Sequence, residues 1–426
     1  MQLANAQPRN SRPLRISMVS TLALLLMSGV AQSSWAQTYN VIHTFGGYGD
    51  GAQPMATMTM DVGGNLLGTT FYGGAQPGDL GYGIVFKLVQ KNSAWIVQNL
   101  YTFQGGSDGA NPSAGVVVGA NGSLYGTTSL GGIQACTGGF SCGLVFQLRP
   151  PITACRSVLC PWMQTVLYRF TGGGDGAHPG SGALTFDHAG NIYDTTVEGG
   201  STNSGVAFQL TASAGGWQEK VLHSFGAPSD GIQPQAGVVF DSQGNLYGTT
   251  IGGGANSKGM VYELAPAGSG WTISDLHDIG IEGMSPYAGV VFDSAGNLYG
   301  ATLLGGAGNG GAVYELVPSG GGWNFNLLYS FFPPAGQGLG PYSSLTVDAG
   351  GNLYGTTETD GAYGLGSVFE LTPQNGGWMY TSLHDFAGGN EGCNPAGGVT
   401  LGQSGRLYGT ASGCGAGYGV VWEITP

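Results

Sequence analysis

Apolar positions along the chain come in short alternating runs broken by Gly, Asp and Asn, the two-residue period of β-strands and not the 3.6-residue period of helices. The clearest stretch starts at Ala236 and reads A-G-V-V-F-D-S-Q-G-N-L-Y-G-T-T. It predicts two strands, residues 236–241 and 245–250. The D-x-x-G-N link between them suits a tight hairpin, since Gly and Asn accept positive φ. Runs at 259–264 and 271–279 complete a four-stranded unit.

The unit returns seven times. The Asn of G-N-L-Y-G falls at Asn65, Asn191, Asn245, Asn297 and Asn352, with Ser123 and Arg406 in its place in two divergent copies. The steps are 58, 68, 54, 52, 55 and 54 residues, and the long one carries four of the six Cys. Trp95, Trp162, Trp217, Trp271, Trp323 and Trp378 each stand eight residues before an aromatic or Ile279. Four short strands with two apolar faces need neighbours on both sides, and radial stacking supplies them. The predicted fold is therefore all-β: a seven-bladed β-propeller of four antiparallel strands per blade. A β-solenoid, the alternative, is usually built from shorter repeats. The seventh copy ends at Pro426 without its Trp-strand, and the missing piece stands at residues 39–45. The N-terminal strand is expected to complete the last blade, closing the ring and leaving no unpaired edge.

Composition adds a compartment. With 84 Gly and 8% charged residues the chain resembles low complexity, but aromatics reach 11% at fixed places and argue for a packed core. Residues 1–36 read as a secretory signal: Arg9, Arg12 and Arg15, an apolar core at 16–30, then Ser34-Trp35-Ala36 before a cut ahead of Gln37. One propeller domain then spans 37–426, in a secreted or periplasmic location and expected as a monomer. Losing the three Arg moves the net charge from −13 to −16. Such a surface repels phosphate backbones, which argues against nucleic acid and anionic membrane as partners. No later stretch is long and apolar enough to span a membrane.

The run P-x-A-G-V-V-F-D-x-x-G-N-L-Y-G-T-T, followed by G-x-V-F/Y-E-L and W-x-x-x-x-L-Y/H-S-F, resembles the bacterial choice-of-anchor tandem-repeat proteins of the GloVer type. The resemblance covers residues 37–426 and implies an extracytoplasmic repeat protein of unassigned activity. Members often carry a C-terminal anchoring segment; here the last repeat runs to Pro426, which leaves attachment to the cell open. The P-x-G-V-x-x-D-x-x-G-N-L-Y part is also similar to NHL-type propeller repeats. That similarity implies that 236–241 and its equivalents are the innermost strands, with two loop sets opening on one face.

Candidate chemistry sits in those loops. The first set carries Asp50, Asp108, Asp175, Asp230, Glu282, Gln337 and Glu391, each followed by Gly. This ring either holds calcium, with Asp50, Asp108, Asp175 and Asp230 as candidate ligands, or caps its own turns. D-x-D-x-D-G calcium loops are absent. His43, His223, His277 and His384 share a slot with Tyr101, Tyr168 and Tyr329 on separate outer strands, which argues against a His-based metal site. Departures from the repeat are more informative: Asp194 replaces the Gly of G-T-T, Glu198 follows it, and Glu358 and Asp360 occupy the equivalent loop of another copy. Phe71, Tyr72, Tyr287 and Tyr342 add aromatics near the same face. The leading functional reading is a non-catalytic binding or cell-envelope module for a glycan or protein ligand. The alternative is an extracellular hydrolase or lyase acting on polysaccharide through two of the carboxylates Asp194, Glu198, Glu358 and Asp360, which must then converge.

An even Cys count in an exported chain predicts disulfides. Cys393 and Cys414 lie in the two loops of the last repeat and are expected to pair. Cys136 and Cys142 precede the third strand of the second repeat, while Cys155 and Cys160 follow it. That strand spans about 20 Å at ~3.4 Å per residue, so local pairs 136–142 and 155–160 are favoured over cross-pairs.

Overall fold

The computed structural model describes residues 37–74, 80–133, 136, 141–151, 162–227, 229–332 and 339–426, and Gln37–Pro426 forms one compact unit. The secretory signal at 1–36, the pair Cys155–Cys160 and Gln337 lie outside the described residues.

Each letter of the repeated motif has a structural task. The Asp of D-x-x-G-N closes the hairpin: Asp241 accepts the N–H groups of Gln243 and Asn245 and the Asn245 side-chain amide, at 2.8, 2.9 and 2.9 Å. The Gly between them adopts φ 90°, where a Cβ would be strained. In G-T-T the Gly makes room for the third strand: a Cβ on Gly68 would run into the Phe86 ring, and one on Gly409 into Trp422. The first Thr stitches the blade to the next one, as Thr69 does to the Ala114 carbonyl and Thr249 to that of Ala288, both at 2.8 Å. The second Thr caps the following turn, as Thr70 does on the Tyr72 carbonyl at 2.7 Å.

Seven antiparallel four-stranded blades result, arranged as a β-propeller. In the fourth blade the strands are Val239–Phe240, Leu246–Thr250, Met260–Ala267 and Gly270–Asp278. The innermost strand is shorter than the sequence pattern predicts. Near the axis its first residues turn to the adjacent blade, as when Ser181 N–H donates to the Gln235 carbonyl at 2.7 Å. The third strand is buried on both faces, and clusters of apolar side chains fill each seam between blades. Phe45, Phe86 and Val421 share one such cluster, and Tyr262, Phe225 and Leu246 another.

The last blade consists of Thr400–Leu401, Leu407–Ala411, Val420–Thr425 and the N-terminal Thr38–Thr44. Thr38 pairs with Thr425 and Thr44 with Val420, so the ring closes as the missing Trp-strand implied. Closure is reinforced across the seam to blade 1, where Thr400 donates to the Met58 carbonyl at 2.7 Å.

Two disulfides appear among the described residues, Cys136–Cys142 and Cys393–Cys414, each with Cα atoms 5.3 Å apart. The second joins the two loops of the last blade beside the bridge Cys393–Gly413. Its 21-residue separation corresponds to about 3 kcal/mol in the chain-entropy model. Cys393→Ser with Cys414→Ser should therefore lower the thermal midpoint by about 4 °C, given the usual unfolding entropy of a chain this long. Calorimetry of the double variant checks this, and an unchanged midpoint would refute it.

Candidate functional site

The two loop sets meet on one face in every blade, in blade 6 through the Thr359 N–H and the Leu339 carbonyl at 3.1 Å. Ala52 bridges Tyr72, Ala110 bridges Leu130, Met284 bridges Leu304 and Cys393 bridges Gly413. Blades 3 and 4 widen the bridge into short ladders, Ala177 opposite Glu198 and Gly231 opposite Gly253.

The acids of the first loop set do not point at a common centre. Each described acid takes the His or Tyr of the outer strand that leads into its loop, in the preceding blade, and the backbone at the start of its own turn. Asp108 accepts Tyr101 Oη at 2.9 Å and Gln104 N–H at 3.0 Å. Asp175 accepts Tyr168 Oη at 3.0 Å and Thr171 N–H at 2.9 Å. Asp230 meets His223 Nε2 at 2.7 Å and Gly226 N–H at 2.9 Å, and Asp50 accepts Gly46 N–H at 3.0 Å with His43 at 3.6 Å. Glu282 and Glu391 face His277 and His384 in the same way, at 2.9 and 3.6 Å. The His/Tyr slot is thus the partner of the acid ring. The recurrent seven-residue interval between slot and acid, as from His43 to Asp50 and Tyr101 to Asp108, was the signal for it. Burial lowers the pKa of His43 and His384 despite their carboxylate neighbours. Among the described residues no group of three or more His, Cys, Asp or Glu is placed to hold a metal ion.

The four candidate carboxylates have different surroundings. Asp194 is not in a top-face loop: it lies in the second strand of blade 3, Ile192–Glu198, with no exposure. It fills the slot that Gly keeps open in the other blades, and burial raises its pKa far above the carboxylate range. Neither of its oxygens has a hydrogen-bond partner, and neither does the hydroxyl of Tyr262 in blade 4, whose pKa Asp194 also raises. Glu198, four residues on and about 13 Å along the strand, faces His178 at 3.8 Å. Asp360 lies toward the outer strands of blades 5 and 6, where it helps raise the hydroxyls of Tyr329 and Tyr380 and feels Asp385. Glu358, two residues before it, acts instead on the hydroxyl of Tyr342.

The aromatics form two groups. Phe71 meets Tyr72 edge-on at 4.8 Å, and Tyr72 shares a hollow of about 320 Å³ with Tyr48 and Tyr418 at the seam between blades 7 and 1. Tyr287 and Tyr342 stack at 5.0 Å with ring planes 28° apart, at an axial cavity of about 220 Å³. Innermost segments of all seven blades line that cavity, with Ser113, Ser181, Ser343 and Ser344 among them. Burial, then Tyr287, then Glu358 push the Tyr342 hydroxyl up to about 12, and burial raises the Glu358 carboxyl. The axis therefore offers a half-buried tyrosine pair with the Glu358 carboxyl nearby and a set of small hydroxyls.

Solved structures share this architecture at low identity. A putative 6-phosphogluconolactonase from Bacteroides fragilis is 14% identical, with a TM-score of 0.52 over 82% of this chain and 87% of its own. The periplasmic gluconolactonase of Pseudomonas aeruginosa is 16% identical, with a TM-score of 0.50 over 84% and 95%. A fungal alcohol oxidase in complex with copper is 13% identical, with a TM-score of 0.55 over 92% and 76%. Identities this low establish the fold alone. No curated protein matches the chain. The model of the Gloeobacter/Verrucomicrobia repeat matches at residues 31–239, 135–331 and 278–426, and with the repeat and the seven blades both in place, the chain belongs to that repeat family.

Proposed function

We propose that this is a non-catalytic binding module, exported through a signal at residues 1–36, that takes a saccharide at the mouth of its axial cavity. The observation that carries the reading is the Tyr287–Tyr342 stack beside Glu358 over the serine-lined axis. Tyrosine rings offer an apolar surface with polar tips, which suits the ring faces and hydroxyls of a sugar. The nearby Glu358 carboxyl adds hydrogen-bond acceptors for sugar hydroxyls. Paired disulfides in a secretory-type chain fit an oxidising compartment. Among the described residues no helix is long and apolar enough to cross a membrane.

Glycosidic cleavage needs two carboxyl groups about 5–10 Å apart across the bond. Asp194 is closed in the interior, Glu198 faces His178, and Glu358 and Asp360 act on different tyrosines, Tyr342 against Tyr329 and Tyr380. Binding is the reading this favours. A glycan array probed with the exported protein should give retained saccharides, equally with calcium and with chelator. Tyr342→Ala should weaken them at least tenfold. An empty array, or binding that Tyr342→Ala leaves intact, refutes the reading.

A further inference from the structure

On the opposite side of the ring, where the D-x-x-G-N hairpins lie, a tyrosine ring fills the space beside the next blade's tryptophan. Tyr408 meets Trp95, Tyr193 meets Trp271, Tyr247 meets Trp323 and Tyr299 meets Trp378, with centroids between 5.8 and 6.3 Å. The tyrosine hydroxyl donates to a third-strand carboxylate: Glu263 at 3.0 Å, Glu315 at 2.9 Å, Glu370 at 3.0 Å and Glu423 at 3.0 Å, from Tyr247, Tyr299, Tyr354 and Tyr408. In several seams a phenylalanine of the next blade completes the nest, as Phe240 does for Tyr193 at 5.0 Å.

The seam between blades 1 and 2 departs from this. Leu67 stands where the tyrosine belongs and Lys87 where the other blades have Glu or Gln, while Val118 takes the place that Phe186, Phe240 and Phe292 fill in three other seams. The tryptophan is retained as Trp162. Two rings have become two aliphatic side chains, and a pocket of about 570 Å³ opens there. Leu67, Val118, Trp162, Lys87 and Asp61 line it. Lys87 Nζ lies 2.7 Å from Asp61, whose other contacts are the N–H groups of its own hairpin and the amide of Asn65. An ammonium has three donors, and Asp61 takes one.

We propose that this pocket binds a small aromatic carboxylate. Its ring takes the place that the chain's own tyrosine fills in the other seams, against the face or edge of Trp162. Its carboxylate accepts from Lys87, because the change from Glu to Lys reverses what the seat requires: a phenol donating to an acid in blades 4 to 7, an acceptor meeting a cation here. Nothing in this rests on the saccharide reading, which concerns the axis.

Benzoate titrated into the intact protein, followed by saturation-transfer NMR, tests it. Benzoate should bind in the high-micromolar to millimolar range expected of a ligand of so few atoms. Benzamide, which lacks the charge, and cyclohexanecarboxylate, which lacks the ring, should bind at least tenfold more weakly. Leu67→Tyr restores the repeat's own ring and should abolish binding while the melting temperature holds or rises. If that variant fails to fold, Val118→Phe fills the same pocket from the other wall. Absence of benzoate binding to the wild type, equal binding of benzamide, or binding that survives in the folded filled variant each overturns the proposal.

Discussion

Deletion of residues 39–45 is expected to leave a protein that neither closes nor stays soluble. Thr38–Thr44 supplies the fourth strand of the last blade, in register with Val420–Thr425. Without it, that strand presents a row of unpaired N–H and C=O groups flanked by Trp422, an open template for intermolecular pairing. Packing is lost as well. Phe45 has no exposure and meets Phe86 of blade 1 at 5.3 Å, so its removal alone costs about 3–5 kcal/mol. Tyr39 stacks on His384 at 3.7 Å and donates to the Glu391 carbonyl at 2.5 Å, tying the strand to blade 6. A thermal midpoint lowered by 10 °C or more, or recovery only as aggregate, is the expected outcome on the scale of several lost core contacts. A folded deletion variant with the wild-type melting curve would show that closure rests on blade-to-blade contacts such as Thr400 to Met58 and not on the strand. A peptide of residues 37–46 added in trans should partly restore the midpoint, because the exposed edge has a defined register to accept it.

Much of this architecture is written in G-N-L-Y-G-T-T. The motif fixes the hairpin, the room for the third strand's aromatic and the link to the next blade, so strand order, blade number and the split last blade follow from it. The innermost strands were less legible. Their pattern alternates like a full strand, but seven of them converge on the axis, and the competing hydrogen bonds come from the adjacent blade. Side-chain direction in the loops was also hidden. Glu358 and Asp360 are two apart, the spacing of one strand face, yet their strand ends at Thr357. The turn beyond it sends one toward Tyr342 and the other toward Asp385. The acid ring looked like a shared feature because repetition places its members in a circle. Each described acid is in fact bonded to the His or Tyr of the outer strand just before it, in the preceding blade. Asp194 could have been assigned to the interior from sequence, since it occupies the Gly of G-T-T, the slot that packs beneath the third strand.

Asp194→Asn is expected to stabilise the protein, and to do so only above acid pH. The wild-type carboxyl is fully buried with no partner for either oxygen, so burial holds it protonated in the folded chain well above the pH at which it ionises when unfolded. The native state then binds more protons than the unfolded one, and stability falls as pH rises from about 4, the ordinary Asp value, toward the raised native value. Asparagine has nearly the same shape and cannot ionise, so the unfolded state loses this advantage. Below pH ~4 both proteins are neutral at this position and their melting temperatures should agree. At pH 7 the variant should lead by at least about 1.4 kcal/mol, the worth of one pKa unit, which is roughly 2 °C in a chain of this length. Asp194→Gly, which restores the residue of the other blades, should also lead at neutral pH. It should retain part of that lead in acid, because it removes the orphaned polar atoms as well as the ionisation. Melting curves of the three proteins from pH 3.5 to 8 make the comparison. A difference between wild type and Asp194→Asn that is flat across the range, or largest in acid, would mean that Asp194 is ionised inside the fold and held by a partner, the Thr195 backbone N–H or the Tyr262 hydroxyl.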